Sequence, residues 1–152
     1  MNILVSACLL GINCKYNGEN NLQEILKEKV GDFNFIPVCP EQLGGLGTPR
    51  QPSERLGDKV LSKCGKDVTD NFTRGANEAL DIAKLYGCKY AILKEKSPSC
   101  GYGQIYDGTF TGRLIYGNGV TSELLEKNNI KIIGESKLKD FLRERGNNYE
   151  EI

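Results

Sequence analysis

Three short apolar runs each end within a few residues of a cysteine, and this limits the chain to a narrow set of folds. Ile3, Leu4 and Val5 lead to Cys8; Phe35, Ile36 and Val38 lead to Cys39; Ala91, Ile92 and Leu93 lead through a short loop to Cys100. Runs this brief and this lacking in polar alternation read as strands of a parallel sheet buried on both faces. In an open parallel sheet, ligands bind in the crevice at the carboxyl ends of the strands. Three thiolates delivered there form a soft donor set, suited to an iron–sulfur cluster or zinc rather than to an oxygen-seeking ion. A fourth coordination position would stay open, as it does in catalytic metal sites.

The segments between these runs carry helical spacing or turn signals. Ile3 to Ala7 are expected as the first strand, followed by a polar loop with Asn17-Gly18 and an amphipathic helix around Leu22 to Val30. Asn34 to Val38 are the second strand, and residues 39–57, rich in Gly, Pro and Arg, show no periodicity. A loop that long inside a compact domain is usually functional or disordered. Lys59 to Thr69 are expected to form a hairpin around Cys64-Gly65, and Asp70 to cap a helix whose apolar positions run from Phe72 to Leu85. Tyr90 to Leu93 form the third strand, and a hairpin turns at Asp107-Gly108 between Ile105 and Leu114. Thr121 is expected to cap a short helix with Leu124 and Leu125, and Ile130 to Ile133 to form a fourth strand. From Lys137 a charged amphipathic helix is expected, fraying at its end. The expected fold is therefore α/β: a single domain with a mostly parallel, Rossmann-like sheet of about four strands, helices on both faces and a small hairpin. It spans residues 1–142, with residues 143–152 as a tail.

Composition narrows the function. Twenty basic and twenty acidic side chains cancel, so no broad basic surface points to nucleic acid or membrane, although a local basic site stays open. No apolar run is long enough to span a bilayer and no leader is evident, which points to the cytosol, where thiols stay reduced. Six cysteines there favour metal binding or catalysis over a disulfide framework. Histidine is absent. That removes Ser–His–Asp triads, Cys–His pairs and His-ligated zinc, and leaves proton transfer to carboxylates, hydroxyls, amines, thiols or water.

Each candidate has an ordinary alternative. Five residues separate Cys8 from Cys14, unlike the two intervening residues of common zinc and ferredoxin sites, and Cys8 alone could be a buried hydrophobe. Glu41 follows Cys39 by two residues across Pro40, which biases Cys39 to an extended conformation; a free loop glutamate is the alternative. Arg50 and Arg55 are open between anion binding and surface ion pairs. Ser97, Pro98, Ser99, Cys100 and Gly101 pack two hydroxyls and a thiol after a buried strand, where serines also commonly cap turns. Cys64 and Cys88 read as structural or incidental.

Taken together, SACLLGINCKYNG, VCPEQLGGLGTPR, SPSCGYGQIYDGTF and the GNGV segment resemble the 2-thiouracil desulfurase family, from Met1 to about Leu142. The chain departs at Gly47, where the family has proline. The resemblance implies a [4Fe–4S] cluster held by Cys8, Cys39 and Cys100, with Glu41 and Ser97 beside the open iron. It further implies non-redox conversion of a thiolated pyrimidine's C=S to C=O, with release of hydrosulfide. The natural substrate is left open between a free thiobase, a thionucleotide and a thiolated nucleoside in tRNA, as are the oligomeric state and any role for Cys14. A non-catalytic iron–sulfur or zinc module and a cysteine-based redox protein use the same thiols and remain alternatives.

Overall fold

The computed structural model describes residues 1–150, the last four as backbone. Its first half comprises β1 (Asn2–Ser6), α1 (Glu24–Glu28), β2 (Asn34–Val38), α2 (Pro40–Leu43), β3 (Ser53–Leu56) and β4 (Lys59–Ser62). The second half comprises α3 (Thr69–Leu85), β5 (Tyr90–Leu93), β6 (Gln104–Tyr106), β7 (Leu114–Tyr116), α4 (Val120–Lys127), β8 (Lys131–Gly134) and α5 (Leu138–Glu150).

The four apolar runs form one parallel sheet in the order β2-β1-β5-β8. Register explains why they lack polar alternation. Leu4 pairs with Ile36 and Ala91, and Ala91 with Ile132. This face packs on Leu80 and Ala83 of α3 and Leu125 of α4. One residue on, Val5 pairs with Ile92 and Ile92 with Ile133. These side chains emerge on the opposite face, against Leu26 of α1 and Leu138, Phe141 and Leu142 of α5. Helices therefore cover both faces, and each large apolar side chain so buried contributes about 1.5–3 kcal/mol.

Several local expectations need correction. The helix expected over 22–30 is confined to Glu24–Glu28. Residues 39–57 are not structureless: they hold α2 and β3, a four-residue helix and a four-residue strand too short to show periodicity. The hairpin expected around Cys64-Gly65 is present, with Ser62 N–H on Lys66 O at 2.8 Å, Val68 N–H on Val60 O at 2.9 Å and an antiparallel bridge between Leu61 and Asp67; what the expectation missed is that β4 also pairs with β3 across Gly57-Asp58. The helix α3 begins at Thr69 with Val68 at its cap position, so Asp70 lies in the first turn rather than capping it, and Asp67 Oδ1 accepts the Thr69 N–H at 2.9 Å. Thr121 lies inside α4, which starts one residue earlier. Residues 143–150 continue α5, and the end of the expected fray, 151–152, lies outside the described residues. No helix among the described residues is long and apolar enough to cross a membrane.

A close crossing of α2 on α3 positions the segment after Cys39. A Cβ on Gly75 would overlap the Pro40 carbonyl, and Asn71 Nδ2 donates to Gly44 O at 2.8 Å. Only glycine admits that approach. Gly75→Ala should destabilise by about 1–3 kcal/mol through overpacking, lowering Tm by roughly 2–10 °C. Calorimetric melting of the variant checks this, and an unchanged Tm would show that α2 can shift freely.

Candidate active site

The sheet order changes direction at β1, whose neighbours are β2 and β5, so the chain leaves the carboxyl ends of these strands on opposite sides and opens a crevice. Cys8 follows β1 in a 3₁₀ turn, Ala7–Leu10, which Gly11 ends at φ 91° with its N–H on Cys8 O at 3.2 Å. Cys39 follows β2 with φ −121° and ψ 95°, the extended form that Pro40 requires of its predecessor. Cys100 lies in the turn after β5. All three, with Cys14, line one cleft of about 640 Å³. Cys64 and Cys88 do not line it.

The Cys100 turn is built from both sides. Ser97 Oγ accepts the N–H groups of Ser99 at 3.1 Å and Cys100 at 3.0 Å, the capping role serines take in turns. Its own O–H remains available to donate, and Ser97 also lines the cleft. Behind it, Val120 N–H donates to Pro98 O at 2.9 Å and Thr121 N–H to Ser99 O at 2.8 Å. Ser99 Oγ and Thr121 Oγ1 share a hydrogen bond of 2.9 Å. Gly119 permits this docking, since a Cβ there would press on the Ser99 carbonyl and stand 2.8 Å from Cys100 N.

Glu41 is not a free loop carboxylate. It occupies the first turn of α2 and pairs through Oε2 with Arg50 Nη2. The same Nη2 donates to Cys14 O at 2.8 Å, and Nη1 to Thr48 Oγ1 at 2.8 Å and Gly47 O at 3.3 Å. With the Arg50 side chain 9% exposed and that of Glu41 18%, the pair is shielded, and the carboxylate's position is fixed while Oε1 is left for water or a reactant. Arg55, the other arginine in question, pairs instead with Glu123 at 2.6 Å.

Cys14, only 2% exposed, sits between two cleft thiols. Hydrogen bonding from Cys14 brings Cys39 down to about 6, helped by the Gln42 N–H and Arg50. Cys14 likewise brings Cys8 down to about 7, helped by Asn21 and Lys94. Cys14 itself is raised by serving Cys39 and Cys8. Burial pushes Cys100 up to about 12. Lys94 is held by Glu135 Oε1 at 2.5 Å, so its ammonium stays near Cys8.

Among the described residues, no group of three or more Cys, Asp or Glu could hold a single metal ion. A tetrahedral single-ion site needs sulfurs roughly 3.8 Å apart, given bonds of about 2.3 Å. A cubane gives each thiolate its own iron and accepts a wider triangle. Free thiols from three strand ends around one cleft fit that group better than they fit zinc.

The family model for 2-thiouracil desulfurase matches residues 3–137. The chain belongs to the 2-thiouracil desulfurase family. Its relatives include the uncharacterized protein YbbK of Bacillus subtilis (strain 168), 43% identical over 92% of this chain and 99% of that protein. A solved structure described as the [4Fe–4S]-dependent thiouracil desulfidase TudS is similar at TM-score 0.89 and 40% identity, covering 95% of this chain and 97% of that one. Relative to the sequence reading, the structure adds the hold of Arg50 on Glu41, the seat of Cys14 and the Lys94–Glu135 pair. Nothing in the spacing of GGLGTPR shows that its arginine folds back onto α2.

Proposed function

We propose that the protein is a thiouracil desulfurase: it replaces C=S by C=O in a small thiolated pyrimidine and releases hydrosulfide, using a [4Fe–4S] cluster held by Cys8, Cys39 and Cys100. The observation that carries the reading is the meeting of those three cysteines, Glu41 and Ser97 around one cleft. When bound, the cluster supplies a soft Lewis-acidic site that polarises the carbon–sulfur bond and accepts its sulfur.

The chain's own residues supply the rest. Arg50 orients Glu41 so that Oε1 can take a proton from water attacking the thiocarbonyl carbon and return it to the departing sulfur. Ser97, its oxygen anchored by two N–H groups, directs its O–H into the cleft to hold that water or the pyrimidine. No histidine is required. The free thiols suit a reducing compartment such as the cytosol. We assign the activity to residues 1–142, the remainder of α5 lying away from the cleft.

Offered 2-thiouracil after anaerobic reconstitution, the protein should yield uracil and hydrosulfide. A cluster-loaded protein inert on all thiolated pyrimidines would favour a binding module. Loading should also protect Cys8, Cys39 and Cys100 from alkylation while exposed Cys64 stays reactive, as read by peptide mass mapping. Protection of Cys14 in place of Cys8 would move the ligand assignment.

Arg50 gives a separate expectation. Arg50→Ala should load the cluster and lower kcat by about 10²-fold or more, because misplacing a reacting group by about 1 Å costs that much. Wild-type turnover in a loaded variant would show that Glu41 needs no such hold.

A further inference from the structure

Three non-glycine residues among those described have positive φ: Lys96 at 66°, Phe110 at 58° and Asn129 at 62°. Asn129 follows the end of α4, where a left-handed residue is ordinary. The other two both line the cysteine cleft. A phenylalanine at positive φ is a steric outlier that persists only where its surroundings hold it. Here the holder is visible. Glu54 Oε1, on β3, accepts both the Gly108 N–H at 3.0 Å and the Phe110 N–H at 3.1 Å. Asp107 Oδ1 closes the loop further by accepting the Thr109 N–H at 2.9 Å.

The β3 strand thus reaches across to the β6–β7 loop and fixes one apolar ring at the wall of the cleft. If the loop served only to connect two strands, glycine or asparagine at position 110 would adopt this backbone with less strain. The side chain carries no polar group that needs a partner, so its gain on facing the cleft lies in its ring face. Resting on the desulfurase reading, the geometry points to Phe110 as the residue that stacks on the pyrimidine ring and sets its plane while the thiocarbonyl sulfur faces the cysteines. Glu54 is the positioning residue that presents it.

A sulfur atom alone would leave a flat ring free to rotate about the carbon–sulfur axis. A ring face restricts that rotation and favours planar thioamides over non-planar thiols and thioethers. Base–aromatic stacking by alanine substitution is worth about a 5- to 150-fold change in binding.

The test uses cluster-loaded protein carrying Glu41→Gln, so that 2-thiouracil binds with little turnover and calorimetry reads its Kd. Adding Phe110→Ala should raise Kd by about 5- to 150-fold. Phe110→Leu, which keeps apolar bulk and loses the ring, should also bind more weakly, and Phe110→Trp should bind more tightly than the leucine variant. In the otherwise wild-type enzyme, the loss should fall on KM rather than kcat. Glu54→Ala should raise Kd in the Phe110 protein and add little in the Phe110→Leu protein, a coupling that general loosening of the fold would not produce. Equal Kd for Phe110 and Phe110→Leu would overturn the stacking role, as would full additivity of Glu54→Ala with Phe110→Leu. A wild-type protein that loads a cluster yet neither binds nor converts 2-thiouracil would overturn the desulfurase reading itself, and this inference with it.

Discussion

Serine at Cys8, Cys39 or Cys100 should each abolish cluster loading, taking the anaerobically reconstituted protein from about four irons and four sulfides per chain to near zero. The three thiols come from turns after separate strands, and of the other three cysteines only Cys14 lines the same cleft. Serine at Cys64 or Cys88, outside the cleft, should leave loading intact. Cys14→Ser is the informative control, because Cys14 lines the same cleft and lies against Cys8 and Cys39. It should still load, since Cys8, two residues past the end of β1, already supplies that strand's thiol. Iron and sulfide analysis with electron paramagnetic resonance reads all six variants. A cluster that survives Cys8→Ser and disappears in Cys14→Ser would transfer the third ligand to Cys14.

Glu41→Gln should keep the cluster and lose about 10²–10⁴ in turnover, the usual contribution of a general acid–base group. Glutamine is close in size and can still accept a hydrogen bond from Arg50, so the fold around α2 has little reason to change. What it cannot do is accept and return a proton. Ser97 calls for a different substitution. Its oxygen caps the turn that presents Cys100, so Ser97→Ala removes a hydroxyl and loosens the proposed cluster ligand together. Ser97→Thr keeps the hydroxyl and the cap, and comparison of its loading and kcat with those of the alanine variant separates the two roles. Full turnover in loaded Glu41→Gln would remove Glu41 from the chemistry.

The sheet was legible because burial on both faces leaves a mark that one-sided strands do not. Leu4 and Val5 point in opposite directions and both find helices, so neither position could be polar. The crevice followed from parallel strands, and the cysteines from their place at the strand ends. The region after Cys39 was not legible. The helix α2 is one turn long, β3 reads SERL, and contacts distant in sequence hold both in place, including Asn71 on Gly44 and Glu54 on the β6–β7 loop. Arg50 acts through the fold of that same region, so its grip on Glu41 was equally hidden. The caps expected at Asp70 and Thr121 each lie two residues past the observed positions, Val68 and Gly119; Asp67 holds the Thr69 N–H at the start of α3, and the Thr121 hydroxyl is engaged by Ser99 from a distant turn.

Hydrolytic removal of sulfur at a cluster, with no net electron transfer, is the reaction proposed. The most direct measurement incubates cluster-loaded protein with 2-thiouracil, without oxygen and without any reductant, and quantifies uracil and hydrosulfide in parallel over many turnovers. One hydrosulfide should appear for each uracil at a steady rate, and neither product from protein stripped of iron. Turnover that stops after one equivalent and resumes only with an added electron donor would contradict hydrolysis.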